Sequence, residues 1–316
     1  MNIGPVSVVV MISVVALSLV GCQPGTEGPA ETPGESVETT APAGVVEVTT
    51  AEDAPDDFAF VAPAQLASGW TTFRMTNTGE QPHFMILWKL PEGVEFADYA
   101  EFERMFQKEY DHYFAGEATQ DEMIGSIVAG LPEWFGELRG MGGVALTSPG
   151  RTAETTVLLE PGDYVMECYV VTPEGEFHGS LGMLRPLIVT EENTGLEPPE
   201  ADVHVTLSNY AMQTEGELSA GEHVIAVHAT EDAEGIILHD VNLARLSADA
   251  SLEEVGSWMS WIDALRAPAP AEFLGGADHL AGGSTSYFRV SLEPGRYAFV
   301  SEGFATQGMV HEFTVQ

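Results

Sequence analysis

The sequence predicts an all-β protein whose folded part consists of two tandem β-sandwiches, each carrying a helical insertion. Two observations lead to this prediction. Short runs of strand-forming residues, separated by Gly, Pro and Asn turn signals, recur along most of the chain. The same series of landmarks also occurs twice, once in each half. The 316 residues, 44% of them hydrophobic, are enough for two domains with cores of their own.

The repeat is clearest in residues 142–164 and 275–297. Each segment begins with Gly-Gly, reaches Leu-Glu-Pro-Gly after the same number of residues and ends on a tyrosine. Identical spacing between the landmarks indicates a duplication. The sequence therefore predicts one domain over residues 45–192 and a second over residues 200–316.

The N-terminus predicts export and lipid anchoring. Residues 5–20 form an apolar run that ends in small residues, and it is shorter than the roughly 20 residues that a membrane span takes. The following Leu-Val-Gly-Cys resembles the lipobox of bacterial lipoproteins, which implies that Cys22 is lipidated and becomes the first mature residue. Residues 1–22 are thus predicted to be a lipoprotein signal peptide. An uncleaved anchor helix is the alternative, and both place the folded part outside the cytoplasm.

The next segment, residues 23–44, is composed mainly of Gly, Pro, Glu, Thr and Ala, and it is predicted to be a disordered acidic tether. The whole chain is strongly acidic, with 49 Asp and Glu, 11 Lys and Arg and a net charge of -38. This charge argues against nucleic acid and anionic lipid surfaces as partners, because the field of the protein repels both. Since the charge is spread along the chain, it favours solubility in a salty medium over an acidic docking face.

A helical insertion is predicted between the early and late strands of each repeat. Apolar residues recur at steps of three and four along the first insertion: Phe96, Tyr99, Phe102, Met105 and Phe106. This pattern predicts an amphipathic helix whose aromatic face packs on the sandwich. A second helix is predicted near residues 121–129, and the second repeat is expected to carry a shorter insertion helix over residues 252–265.

Four residues of the first repeat are candidate metal ligands: His83, Cys168, His178 and Met183. The first of them follows a turn and begins a strand, and the other three lie after the strand that ends at Cys168. A sandwich brings these two regions together at one end. Two imidazoles and a thiolate with a distant thioether suit copper, because soft sulfur stabilises Cu(I) and imidazole accepts Cu(II). Zinc, or a metal-free relic with a buried thiol, is the alternative.

The order of these four residues resembles the cupredoxins, the blue-copper proteins that include plastocyanin and azurin. The resemblance implies Greek-key sandwiches and one type 1 copper ion in the first domain, with His83, Cys168 and His178 as equatorial ligands and Met183 as the axial ligand. Nine residues separate the cysteine from the second histidine, more than in plastocyanin and nearer to copper nitrite reductases. Residues 169–177 must therefore bulge, and His178 is expected to be the ring nearest solvent.

The second repeat is expected to be a degenerate cupredoxin-like domain. Ser301 stands where the first repeat has its cysteine, and no histidine matches the loop histidine. A hydroxyl is a poor ligand for Cu(I), so the predicted role of this repeat is packing support or partner contact. His239 keeps the early histidine position and His311 follows Met309, which leaves a weak metal site on these two histidines as an alternative.

The predicted function is electron transfer by a membrane-tethered blue-copper protein in the cell envelope, bound to the membrane through its N-terminal lipid and acting with a redox partner protein. Enzymatic copper chemistry is not expected, because the sequence contains no His-x-His pair and the ligand loop has a single cysteine. Two alternatives stay open: a copper-free binding or scaffold module of the cell envelope, and a copper-binding or storage protein.

Overall fold

The computed structural model describes residues 44–54, 57–234, 237–262 and 265–316. The predicted signal peptide, its lipidation site Cys22 and the tether up to residue 43 lie outside the described residues. Within the described ranges, no helix is both long enough and apolar enough to cross a membrane.

Sixteen strands and three α-helices are formed by the described residues. The strands of the first repeat are β1 (Val45–Ala54), β2 (Asp57–Val61), β3 (Gln65–Asn77), β4 (His83–Lys89), β5 (Arg139–Thr147), β6 (Thr152–Leu159), β7 (Gly162–Glu167) and β8 (Leu184–Asn193). Those of the second repeat are β9 (Val203–Ser208), β10 (Ala211–Glu215), β11 (Gly221–Ala229), β12 (His239–Leu246), β13 (Glu272–Leu280), β14 (Thr285–Leu292), β15 (Gly295–Val300) and β16 (Val310–Val315). The helices are α1 (Phe96–Phe114) and α2 (Gln120–Gly130) after β4, and α3 (Leu252–Trp258) after β12.

The duplication extends to the strand pairing. In the first repeat β1 pairs parallel with β3, and β2 pairs antiparallel with β1; β9, β10 and β11 repeat this arrangement. The antiparallel pairs β3–β6, β4–β5, β4–β7 and β7–β8 recur as β11–β14, β12–β13, β12–β15 and β15–β16. Six strand pairings thus recur, whereas the parallel pair β3–β8 of the first repeat has no counterpart between the described strands β11 and β16. Each repeat is an eight-stranded unit, and the predicted all-β sandwich fold is confirmed.

Two sheets face each other across the core, and β3 contributes to both. Residues 65–68 of β3 pair with β8 in one sheet, whereas residues 69–76 pair with β6 in the other. Phe73 and Met75 of β3 and Phe84 of β4 are fully buried between the sheets. Buried residues alternate with more exposed ones along much of β3, whereas β4 and β12 are buried almost throughout.

The two repeats also share their sheets. β6 pairs with β14 in one sheet and β5 pairs with β13 in the other, so both sheets run continuously from the first repeat into the second. Buried side chains join the same seam: Thr155 Oγ1 donates to the carbonyl of Gly276 at 2.6 Å, and Asn242 Oδ1 accepts from the amide of Leu146 at 2.9 Å. The boundaries at 45–192 and 200–316 stay a prediction, since they divide one continuous pair of sheets.

The insertion helices follow the sequence prediction closely, with one difference. α1 begins at a capping box in which the Asp98 carboxylate accepts from the amide of Glu95 at 2.8 Å. Its buried Tyr99 donates to Glu167 of β7, its buried Tyr110 packs on Phe177, and α2 occupies the predicted region. The helix predicted over residues 252–265 is shorter, because the chain leaves helical geometry at Met259 and Trp258 stacks on Phe273 instead.

Gly143 offers a test of the sandwich packing. A Cβ atom added there would lie 1.9 Å from the carbonyl oxygen of Met85 on the paired strand, and Gly276 meets Val241 in the same way in the second repeat. Because the contact is with backbone, it cannot be relieved by a side-chain rotation. We expect Gly143→Ala to lower the free energy of unfolding by about 3 kcal/mol in chemical denaturation. The matched control is Gly136→Ala, whose Cβ meets open space; equal stability of the two variants would contradict this packing.

Candidate metal centre

A buried asparagine fixes the turn that presents His83. The side chain of Asn77 donates to the carbonyls of Gln81 and Thr147, both at 2.8 Å, and accepts from the amide of Gly79 at 2.9 Å. These bonds close the turn between β3 and β4 and tie it to the end of β5. The first residue of β4, His83, is thereby held at one end of the sandwich with its ring fully buried.

The loop after β7 folds back as a small hairpin. The amide of Thr172 donates to the carbonyl of Glu176 at 2.9 Å, and the amide of His178 donates to the carbonyl of Val170 at 2.8 Å. The nine residues between the cysteine and the second histidine form this hairpin, which is the bulge that the spacing required. His178 consequently returns to the side of Cys168, from which it is ten positions removed in sequence.

Three donor atoms converge in this buried region. The Nδ1 atoms of His83 and His178 are 3.0 Å apart, and Cys168 Sγ lies 3.9 Å from the first and 3.6 Å from the second. A circle through atoms at these separations has a radius of about 2.1 Å, close to the bond lengths of about 2.0–2.3 Å from metal ions to nitrogen and sulfur. Within the described part of the chain, these are the His, Cys, Asp and Glu side chains that could enclose a metal ion together.

The outer nitrogens of both rings have their own acceptors. His83 Nε2 lies 2.7 Å from a carboxylate oxygen of Glu52 on β1, and His178 Nε2 lies 3.3 Å from Oε1 of Gln81. When each Nε2 carries the ring proton and donates it outward, both Nδ1 lone pairs point at the same place. Two lone pairs 3.0 Å apart repel each other, so this tautomer fits a shared cation between the rings.

Burial sets the protonation of all three donors. It lowers the pKa of His178 well below its usual value, helped by the nearby His83, and it lowers the pKa of His83 against the opposing effect of Glu52. Burial also raises the pKa of the Cys168 thiol. The imidazoles are therefore neutral at physiological pH, as metal ligation requires, and a bound metal ion would displace the thiol proton.

Met183 follows the second histidine and is fully buried. Its amide donates to the carbonyl of His178 at 2.8 Å, and its carbonyl accepts from the amide of Cys168 at 3.0 Å. These two backbone bonds hold Met183 beside the three donors. Its assignment as an axial ligand stays a prediction.

Neither imidazole is exposed to solvent. His178 was expected to be the ring nearest solvent, but His178 and His83 are both fully buried. Half-buried Gln81 lies against the outer nitrogen of His178, and the ring of Phe58 lies 4.7 Å from the His178 ring. Any path from the His178 ring to the surface on this side therefore passes through a neighbouring side chain.

The hairpin of residues 169–177, called the ligand hairpin below, is held by both α1 and the second repeat. The side chain of Gln107 on α1 accepts from the amide of Phe177 at 2.7 Å. From the second repeat, the amide of Ala267 donates to the carbonyl of Val171 at 3.0 Å, and Arg266 donates to the carbonyl of Pro173. The second repeat thus contacts the loop that carries three of the four candidate ligands.

Sequence reasoning missed the two outer partners of the histidines, Glu52 and Gln81. Glu52 lies 31 residues before His83 on a strand with no other candidate ligand, and no local pattern marks it. Hydrogen bonds from His83 and from nearby backbone amides lower the pKa of Glu52 even though burial alone would raise it. Its carboxylate is consequently ionised beside the ring that it orients.

The corresponding region of the second repeat is built differently. Ser301 donates to the buried carboxylate of Asp240 at 2.7 Å, and the amide of Glu302 also donates to that carboxylate. His239 is fully buried against Phe304, and neither of its ring nitrogens has a hydrogen-bond partner. His311 on β16 stacks on neighbouring aromatic rings instead. The weak metal site on these two histidines stays a prediction.

Comparison with known proteins finds similarity among solved structures alone. Auracyanin A of Chloroflexus aurantiacus, a "blue" copper protein, is 20% identical and covers 46% of this chain and 98% of its own, with a TM-score of 0.28. Auracyanin of Roseiflexus castenholzii is 18% identical over 48% of this chain and 99% of its own, with a TM-score of 0.28. A copper nitrite reductase of Nitrosomonas europaea is 11% identical over 86% of this chain and 93% of its own, with a TM-score of 0.26. No protein-family model and no curated protein matches the sequence.

The structure contains two features that the resemblance to cupredoxins implied. An eight-stranded sandwich occurs in each repeat of this chain. The early histidine and the cysteine–histidine loop meet at one end of the first sandwich, as the resemblance implied.

Glu52 offers a test of the outer hydrogen bonds. Glu52→Gln keeps the size of the side chain but removes the charge that holds the His83 ring with its Nδ1 atom free. We expect this change to weaken Cu(II) binding about tenfold in a competition titration against a chelator. Asp53→Asn is the matched control, because Asp53 is the exposed next residue of the same strand. Unchanged affinity of the Glu52 variant would show that the carboxylate does not support the site.

The second repeat allows a test of whether the missing cysteine alone prevents it from binding copper. Ser301→Cys restores the thiol, but buried Asp240 and the absence of a loop histidine remain. We therefore expect the variant to bind no additional copper, measured as metal per protein by elemental analysis after desalting. A second copper ion with a second thiolate absorption band would contradict this expectation.

Proposed function

We propose that this chain is a blue-copper electron carrier with one type 1 copper site in its first repeat. The observation that carries the proposal is the triangle of buried donor atoms from His83, Cys168 and His178, whose size fits one metal ion. The chemistry of the set favours copper, since it combines two imidazoles with a thiolate and places a thioether nearby. A bound copper ion would supply reversible one-electron oxidation and reduction.

The protein's own part is to keep the donor positions constant. The Nε2 atom of each imidazole ring is hydrogen-bonded to a neighbouring side chain, and Met183 forms two backbone hydrogen bonds. These bonds restrict the movement of the ligands. Full burial removes the water that would otherwise reorganise when the charge of the site changes. A carrier benefits from such restriction, because little structural rearrangement then accompanies each electron transfer.

We also propose where electrons enter and leave. His178 contacts Gln81, and a surface groove is lined by Gln81, Pro82 and Glu52 on one side and by residues 267–269 of the second repeat on the other. A redox partner seated in this groove would come within one side chain of a ligand. The second repeat would then serve both to hold the ligand hairpin and to complete the docking surface.

The cellular context is part of the same proposal. Lipidation at Cys22 and an acidic tether over residues 23–44 would keep the carrier at the membrane, outside the cytoplasm, near a partner of the cell envelope. The sequence features alone support this arrangement. A metal-free scaffold and a copper-storage protein are the competing functions.

The visible spectrum separates these functions. We expect the full-length protein titrated with Cu(II) to develop an intense thiolate-to-copper absorption band that bleaches on reduction and returns on reoxidation. Cys168→Ser should abolish the band, whereas Met183→Leu, which changes only the predicted axial contact, should keep it and change the reduction potential. A colourless protein would contradict the carrier proposal and favour the scaffold. Tight copper binding without reversible bleaching would favour storage.

A further inference from the structure

A separate cavity of about 70 Å³ lies between α1 and the strands β4 and β7. Its wall is largely aromatic, with the rings of Tyr99, Phe102 and Phe106 on α1 and those of Trp88 and Trp261 among the lining residues. The ring of Phe102 packs edge-to-face against both Tyr99 and Phe106. These contacts fix the rings in place, so the cavity is a formed feature of the fold.

Two carboxyl groups line this aromatic cavity. Glu103 is 6% exposed and Glu167 is 5% exposed. Glu167 accepts from Trp88 Nε1 and from the Tyr99 hydroxyl, both at 2.7 Å, and Glu103 accepts from Ser180 Oγ at 3.0 Å. These neutral donors orient the carboxyl groups but do not balance their charge.

No lysine or arginine is among the described residues that line the cavity. His279 is the lining residue that can carry a positive charge, and its Nδ1 atom is already bound to the carboxylate of Asp278. The lining thus offers two carboxyl groups and one imidazole, and the imidazole is already paired with the carboxylate of Asp278.

The burial of two neighbouring carboxylates costs free energy when the cavity holds no cation. Burial and the neighbouring Glu167 raise the pKa of Glu103 to about 7. This shift has the direction expected of a carboxyl group that is buried beside a second carboxyl group. A cation in the cavity would relieve the desolvation and the mutual repulsion together.

We propose that the cavity is a binding site for a small organic ammonium ion. Aromatic faces attract such a cation through their negative ring faces, and the two carboxylates neutralise its charge. An anion would be repelled by Glu103 and Glu167. A neutral apolar molecule would not offset the free-energy cost of burying these two carboxylates. A bare metal ion fits poorly, because the wall is aromatic and neither carboxylate belongs to a ligand group among the described residues.

The probe for this site is tetramethylammonium, and tert-butanol is a neutral probe of similar shape. We expect isothermal titration calorimetry on the full-length protein to show saturable binding of tetramethylammonium and no comparable binding of tert-butanol. Glu103→Gln, which keeps the acceptor for Ser180, should weaken binding about tenfold or more. Glu101→Gln, an exposed glutamate on the same helix, is the matched control and should bind like the unmodified protein.

Two results would overturn the proposal. One is equal affinity for the charged and the neutral probe, which would make the cavity a simple apolar void. The other is the absence of saturable tetramethylammonium binding to the unmodified protein. Phe102→Leu keeps the wall apolar but removes an aromatic face, so it should also weaken tetramethylammonium binding even if the Glu103 variant folds poorly. These measurements need no copper and are independent of the proposed electron transfer.

Discussion

The convergence of three buried donor atoms on one point is the constraint on which the arrangement of the candidate metal centre depends. When both ring protons lie on Nε2, lone pairs from His83, Cys168 and His178 meet where water is excluded, and a cation shared among them would stabilise this arrangement. Side-chain and backbone hydrogen bonds both keep these atoms close together. Glu52 and Gln81 hold the rings from outside, and the ligand hairpin closes through its own backbone bonds.

The second repeat has kept six strand pairings of the first and lost its donor set. Ser301 and Asp240 form a hydrogen bond where the first repeat places a thiol, so a neutral hydroxyl and a carboxyl group fill the corresponding space. The core does not require the metal site, since the second repeat forms the same antiparallel pairs without the donor set. Through the contacts of Arg266 and Ala267 with the ligand hairpin, the repeat without the donor set supports the repeat that has it.

Buried carboxyl groups also lie near Cys168, where the two repeats meet. Tyr169, the residue after the candidate cysteine ligand, donates to Glu302 of the second repeat at 2.7 Å, and burial raises the pKa of Glu302 to about 7. Glu167, the residue before that cysteine, faces the aromatic cavity. The charge on either side of Cys168 is therefore set by carboxyl groups whose ionisation responds to their surroundings. Of these groups, Glu167 lies close enough to Cys168 to act electrostatically on its thiol.

The sequence by itself determined the repeat, the sandwich class, the insertion helices and the four candidate ligands. Each of these is encoded locally, by turn residues, by strand or helix periodicity, or by the order of soft donor side chains. Only the tertiary structure decided that Glu52 and Gln81 orient the histidines, that both rings are buried, and that the repeats share two continuous sheets. These features depend on residues that are distant along the chain and adjacent only after folding. No spacing rule connects them, because sheet pairing and core packing bring them together.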